Sequence, residues 1–144
     1  MPVPSTRQVV EDLFTHLAAG DAARAASLYA DDIDWAIDWP DGPVAEAVPW
    51  IRHRSDRAAV AQHYADIGAG NRPDTEPTSV DAVLVEGEHA VVLGVLRNVV
   101  VATGVPYRAR FALHLTVVDG MITRHHVYED SLAVAMAAGV VTPT

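Results

Sequence analysis

The chain has 144 residues, half of them apolar, and 19 Asp and Glu against 10 Lys and Arg give it a formal charge of −9. That balance argues against a nucleic-acid partner, because holding phosphates takes clustered Lys and Arg, and here only Arg52, Arg54 and Arg57 cluster, diluted by Asp56. The lack of cysteine removes disulfide and thiolate chemistry and fits the cytoplasm, the apolar run Ala90 to Leu96 is too short for a bilayer, and the start of the chain lacks a secretory pattern.

Such a length predicts a single domain over residues 1–144. In the first helix Val9, Val10, Leu13, Phe14 and Leu17 recur at helical spacing behind Ser5 or Thr6 as a cap, and Gly20 with Asp21 marks a stop and a new start. A second helix is expected from Ala22 to Ala30, then a short alternating strand from Ile33 to Trp39. Pro40, Gly42, Pro43 and Pro49 predict an irregular loop of roughly fifteen residues, long enough to suggest a lid. Ser55 or Asp56 caps a third helix that turns Val60, His63, Tyr64 and Ile67 inward and closes near Gly68 and Gly70.

Beyond Pro77 the pattern is strand: Thr78 to Glu86, His89 to Ala102, Val105 to Val118 and Met121 to Glu129. Odd positions 109 to 117 are apolar while Arg108, Arg110, His114 and Thr116 alternate with them, so one face of that strand is buried. A two-residue turn at Thr103-Gly104 sets Asn98 opposite Ala109, Leu96 opposite Phe111 and Gly94 opposite Leu113. The Asp119-Gly120 turn allows two registers. A plain turn sends His126, Tyr128 and Asp130 to the apolar face; a bulge at Gly120 sends His125, Val127 and Glu129 there. Either way an imidazole and a carboxylate reach the core side, which suggests a working pocket.

These elements make an α+β domain, three N-terminal helices packed on a strongly curved, mainly antiparallel sheet that forms a cone. The runs Ser27-Leu28-Tyr29-Ala30-Asp31-Asp32 and Asp56 through Tyr64, with Asp119 through Tyr128, resemble the ketosteroid isomerase and SnoaL-like polyketide cyclase group of the nuclear transport factor 2 superfamily. The resemblance covers nearly the whole chain and implies a homodimer. It also favours the bulged register, which would align Asn98, Ala109 and Glu129 with the two polar groups about 9–10 Å apart across strands spaced about 4.8 Å. The positions matching that family's catalytic base, oxyanion-donating tyrosine and acidic donor hold Ile37, Leu13 and Leu113, so the steroid isomerase mechanism is not carried over. The epoxide hydrolase variant fails too, because its Arg and two Asp positions match Gly94, Leu96 and Val127.

The catalytic candidates are Asp38, Glu129, His125 and Asn98. Asp38, neighbour to Ile37, is expected to be walled by Trp35, Ile37 and Trp39, which would raise its pKa toward that of a general base; otherwise it is a turn carboxylate before Trp39-Pro40. Glu129 is either a second proton carrier or a rim partner of Arg110, and His125 is either a satisfied core histidine or a proton shuttle. Tyr29 and Tyr64 match the family's pocket tyrosines, His63 faces inward, and Leu96, Phe111, Leu113 and Val127 join the three residues around Asp38 as walls. The other histidines are scattered without zinc-like spacing, so neither a metal nor a cofactor is expected. The function expected is proton transfer on a small hydrophobic carbonyl or hydroxyl compound such as a polyketide intermediate, with cyclisation, isomerisation or dehydration as outcome. A non-catalytic carrier of the same fold, or an assembly module using the open sheet face, are the alternatives.

Overall fold

Ser5 begins the first helix: its hydroxyl accepts the Gln8 N–H while the Gln8 side chain accepts the Ser5 N–H, a reciprocal cap on α1 (Thr6–Ala18). The computed structural model, which describes residues 2–141, continues with α2 (Ala22–Ser27), capped by Asp21. The helix expected to reach Ala30 stops at Ser27, and Tyr29 opens strand β1 (Tyr29–Ile37). Sheet pairing overrides helical spacing here, since the Ile122 N–H donates to the Leu28 carbonyl and Tyr29 lies beside Ile122. Tyr29 is still completely buried.

The expected loop contains the one-turn helix α3 (Pro43–Glu46), after which Val48, Trp50 and Ile51 are buried. The Arg52 guanidinium donates to the carbonyls of Ala45, Glu46, Val48 and Ile51, so the segment is tied to itself. It packs as a stopper. Asp56 caps α4 (Arg57–Gly70), and a Cβ on Gly70 would lie 2.6 Å from the Trp50 ring, so a glycine is needed where helix and stopper meet.

The remaining strands are β2 (Asn71–Pro73), β3 (Ser79–Glu86), β4 (His89–Val100), β5 (Pro106–Val118) and β6 (Met121–Glu129). They form a curved sheet in the order β1-β6-β5-β4-β2, with β3 pairing the other half of β4; β1 runs parallel to β6 and the other pairs are antiparallel. A short helix that the sequence reading did not include, α5 (Ser131–Ala137), follows Asp130 as cap and buries Val134, Ala135 and Ala137.

Two registers differ from expectation. β4 ends at Val100, whose carbonyl accepts the N–H groups of Thr103 and Gly104, so Val101 to Gly104 stay out of the ladder. Asn98 therefore faces Tyr107, Leu96 faces Ala109 and Gly94 faces Phe111, two residues away from the short-turn register but on the same faces. At the next hairpin Asp119 and Gly120 make a plain two-residue turn, with φ of 51° and 77°. The bulge lies at Thr123, where pairing steps from Val117–Ile122 to Thr116–Arg124. His125, Val127 and Glu129 reach the inner face as the bulged reading expects, by a bulge placed three residues later.

The interior falls into two clusters. One joins Val9, Leu13, Tyr29, Trp35, Val60 and Leu115 at the helix-covered end; the other joins Trp39, Val48, Trp50, Tyr107, Ala109 and Val134 under the stopper and α5.

Candidate active site

Pairing puts His125 of β6 beside Trp35 of β1 and Leu115 of β5, at the bottom of the cone. The Trp35 indole stacks on the His125 imidazole, with ring centres 4.1 Å apart and planes 5° from parallel. His125 Nδ1 is 2.7 Å from the Tyr29 hydroxyl, which is 2.6 Å from the Tyr64 hydroxyl brought in by α4. The three groups form one continuous hydrogen-bonded chain. His63, one residue earlier on α4, packs its ring edge on Trp35 at 4.7 Å and contacts the Trp50 carbonyl through Nδ1 at 3.2 Å. A carbonyl only accepts, so Nδ1 of His63 carries the hydrogen and Nε2 is its bare acceptor.

Burial sets the charge of this nest. It drives His125 well below the usual histidine range, with His63 and His126 adding repulsion, and it lowers His63 to about 4, with Arg54 acting in the same direction. Burial also raises Tyr29 and Tyr64 above the ordinary phenol value. At neutral pH the imidazoles and phenols are therefore all uncharged. Two buried polar atoms in the nest have no partner among the described residues: His125 Nε2 and Trp35 Nε1. Leaving such atoms dry and unpaired costs about 1–3 kcal/mol each, so two of them on stacked rings call for a hydrogen-bond partner from outside the described residues.

Farther along the cone the polar groups are matched to each other. Trp39 Nε1 donates to Glu129 Oε1 at 2.7 Å, and burial raises the Glu129 pKa while that bond opposes the rise and Asp130 adds to it. Tyr107 donates to Asn71 Oδ1 at 3.0 Å and accepts from Asn98 Nδ2 at 3.2 Å, while Asn71 donates to the Ile67 carbonyl. Burial pushes the Tyr107 hydroxyl up to about 12.

The expected rank of Asn98, Ala109 and Glu129 does not form, because Glu129 lies across Phe111 from Gly94, four residues from Asn98 along β4. Asn98 instead belongs to the strut through Tyr107. Glu129 and His125 share the inner face but stand four residues apart, about 13 Å at the usual strand rise of about 3.3 Å. They cannot serve the same reacting atom.

Asp38 is also displaced from its expected role. Alternation that turns Trp35 and Trp39 inward turns Asp38 outward, and it is exposed. It borders an open groove of about 530 Å³ with Asp81, Leu93, Arg110, Tyr128 and Glu129. The tryptophan-walled carboxylate does not exist.

Of the residues expected as walls, Ile37 pairs with Val127, Val127 with Leu113, and Phe111 lies over Gly94, where a Cβ would come within 2.8 Å of its ring and 2.1 Å of the Ser79 carbonyl. Leu96 belongs to the second cluster, opposite Ala109. Among the described residues no group of three or more His, Asp or Glu is arranged to hold a metal ion. Tyr107, Asn71 and Trp50 were not among the sequence candidates. Tyr107 alternates in phase with Ala109 and was legible on that account, whereas nothing local marks Trp50 as buried.

Residues 10–125 match the SnoaL-like domain family. Among curated proteins none matches the chain. Among solved structures, a protein of the nuclear transport factor 2-like class from Burkholderia xenovorans is 24% identical with a TM-score of 0.75, over 96% of this chain and 98% of its own. The Δ5-3-ketosteroid isomerase from a Mycobacterium species is 22% identical with a TM-score of 0.66, over 90% and 97%. TerC, co-crystallised with polyporic acid, is 16% identical with a TM-score of 0.75, over 93% and 98%.

Proposed function

The chain belongs to the SnoaL-like domain family, within the nuclear transport factor 2-like superfamily, and from that premise we propose that it is a proton-transfer enzyme acting without a cofactor on a small hydrophobic carbonyl or hydroxyl compound. Isomerisation, cyclisation and dehydration all begin with the same step, removal of a hydrogen next to a carbonyl or hydroxyl-bearing carbon. The observation that carries this reading is the buried chain Tyr64–Tyr29–His125, which ends in an Nε2 without a partner among the described residues, on a ring stacked against Trp35, whose N–H likewise has none.

In this reading His125 Nε2 exchanges a proton with the substrate, and the phenols behind it hold the ring in place. Trp35 Nε1 donates to the substrate oxygen as negative charge develops there, where the low dielectric strengthens the bond. His63, with its fixed bare Nε2, lines the same nest, while Ile37, Phe111, Leu113 and Val127 grip the hydrocarbon by burial worth about 25 cal/mol per Å². Glu129, held by Trp39, contacts the far end of a longer substrate.

The test is α-hydrogen exchange of cyclohexanone and related cyclic ketones into D₂O, followed by proton NMR. Exchange faster than in buffer is expected, with a loss of about 10²-fold or more in His125→Phe, the range of a general acid–base group. Exchange no faster than in buffer, or a variant as fast as the wild type, would refute the reading. A carrier function is favoured by one observation: Leu13 and Leu113, at the positions where isomerase-like relatives keep catalytic groups, are buried hydrocarbon.

A further inference from the structure

The Tyr64–Tyr29–His125 chain contains a choice that its geometry limits to two states. Both contacts, 2.6 and 2.7 Å, are hydrogen bonds by distance, and the Tyr29 hydroxyl, in a fully buried residue, has only these two hydrogen-bond partners among the described residues. Its hydrogen must therefore point to one of them. If it goes to His125 Nδ1, Tyr64 donates to Tyr29 and the imidazole carries its hydrogen on Nε2, facing inward as a donor. If it goes to Tyr64, Nδ1–H donates to Tyr29, the Tyr64 hydrogen is released outward and Nε2 is a bare lone pair. Each state holds the same three hydrogens and no net charge, so neither is penalised for burying an ion.

We propose that these two states make the nest a receptor matched to both tautomers of a neutral, enolisable carbonyl compound, with Tyr64 as the residue that sets this dual specificity. A carbonyl oxygen meets Nε2–H in the first state; the hydroxyl of the corresponding enol meets the Nε2 lone pair in the second. An anionic ligand would have to bury its charge among uncharged imidazoles and phenols. The inference deepens the reading above in resting on a ligand oxygen reaching His125, but it concerns recognition and stands or falls without turnover.

Two probes separate the states: cyclohexanone, which only accepts, and pyrrole, which only donates. Their affinities are measured by titration, and the His125 tautomer is read from the ring ¹⁵N shifts in the intact protein. Wild type is expected to bind both within about tenfold of each other, moving toward Nε2–H with cyclohexanone and toward Nδ1–H with pyrrole. In Tyr64→Phe the Tyr29 hydrogen can only go to Nδ1, which locks Nε2–H. Cyclohexanone binding should then change less than twofold while pyrrole weakens about tenfold, the value of one lost hydrogen bond. Adding Tyr29→Phe removes the lock and should restore pyrrole. One tautomer with both probes, equal weakening of both by Tyr64→Phe, or no binding of either at millimolar concentration would overturn the proposal. Probe-dependent tautomers without any ketone exchange would instead retain it and refute catalysis.

Discussion

Two ends of one interior, about 13 Å apart along β6, treat their polar groups differently. At the bottom, His125 Nε2 and Trp35 Nε1 are buried without partners among the described residues; under the stopper, Trp39 answers Glu129, and Asn98, Tyr107 and Asn71 answer one another. The difference teaches where to look for a ligand. Satisfied buried groups fix structure, whereas unsatisfied ones are tolerated where something else completes them. That criterion is why the proposed chemistry is centred at the bottom, although the more conventional catalytic group, a half-buried carboxylate, is at the other end.

Acidification should separate the two ends most strongly. His63 titrates near 6.5 when unfolded and at about 4 when folded. The unfolded chain therefore binds more protons between those values, and stability is lost as the pH falls through that window. The expected loss is about 3 kcal/mol relative to His63→Gln, read from urea midpoints at pH 7 and pH 4. His125 acts in the same direction. Glu129 has the opposite sign, because its raised folded value costs stability as the pH climbs past the ordinary carboxylate range, so Glu129→Gln should not flatten the acid loss. A wild type with no greater acid loss than His63→Gln would break the contrast.

Arg52→Ala probes the upper end alone. It removes donors to four carbonyls and should lower stability by about 1–2 kcal/mol, with faster amide exchange concentrated at Val48 to Ile51. Protection lost equally around His125 would mean that the ends are one cooperative unit. The smallest effect is expected from Glu129→Gln on ketone exchange, a change under tenfold, since the amide oxygen still accepts from Trp39. A loss matching that of His125→Phe would return the proton-carrying role to the carboxylate.

The sequence carried the architecture because period-two and helical spacing report which face is buried, and faces survive errors of register. His125, Val127 and Glu129 were placed inward although the bulge sits at Thr123 rather than Gly120, since either position flips the same side chains. Asn98 was misjudged because its neighbours depend on how many residues the turn after Val100 consumes, which Thr103-Gly104 does not encode locally. Of the two readings of Asp38, its exposure fits the turn carboxylate, and this is legible locally: the alternation that puts Trp35 and Trp39 inside points the residue between Ile37 and Trp39 away from them. The stacking of Trp35 on His125 was out of reach, because it rests on parallel pairing between strands some ninety residues apart. α5 was legible from Asp130 and the run of small apolar residues after it.

The fastening of Arg52 has one more consequence. Its four acceptors all lie between Ala45 and Ile51, so the cap over the cone's upper end is clamped from within its own stretch of chain as well as by packing on the sheet below. A self-clamped piece can be exchanged like a fitting. Recombining this short stretch with counterparts of other outline, with Trp50, Arg52 and Gly70 retained so that the Trp50 carbonyl still meets His63, would test whether its shape sets which molecules bind.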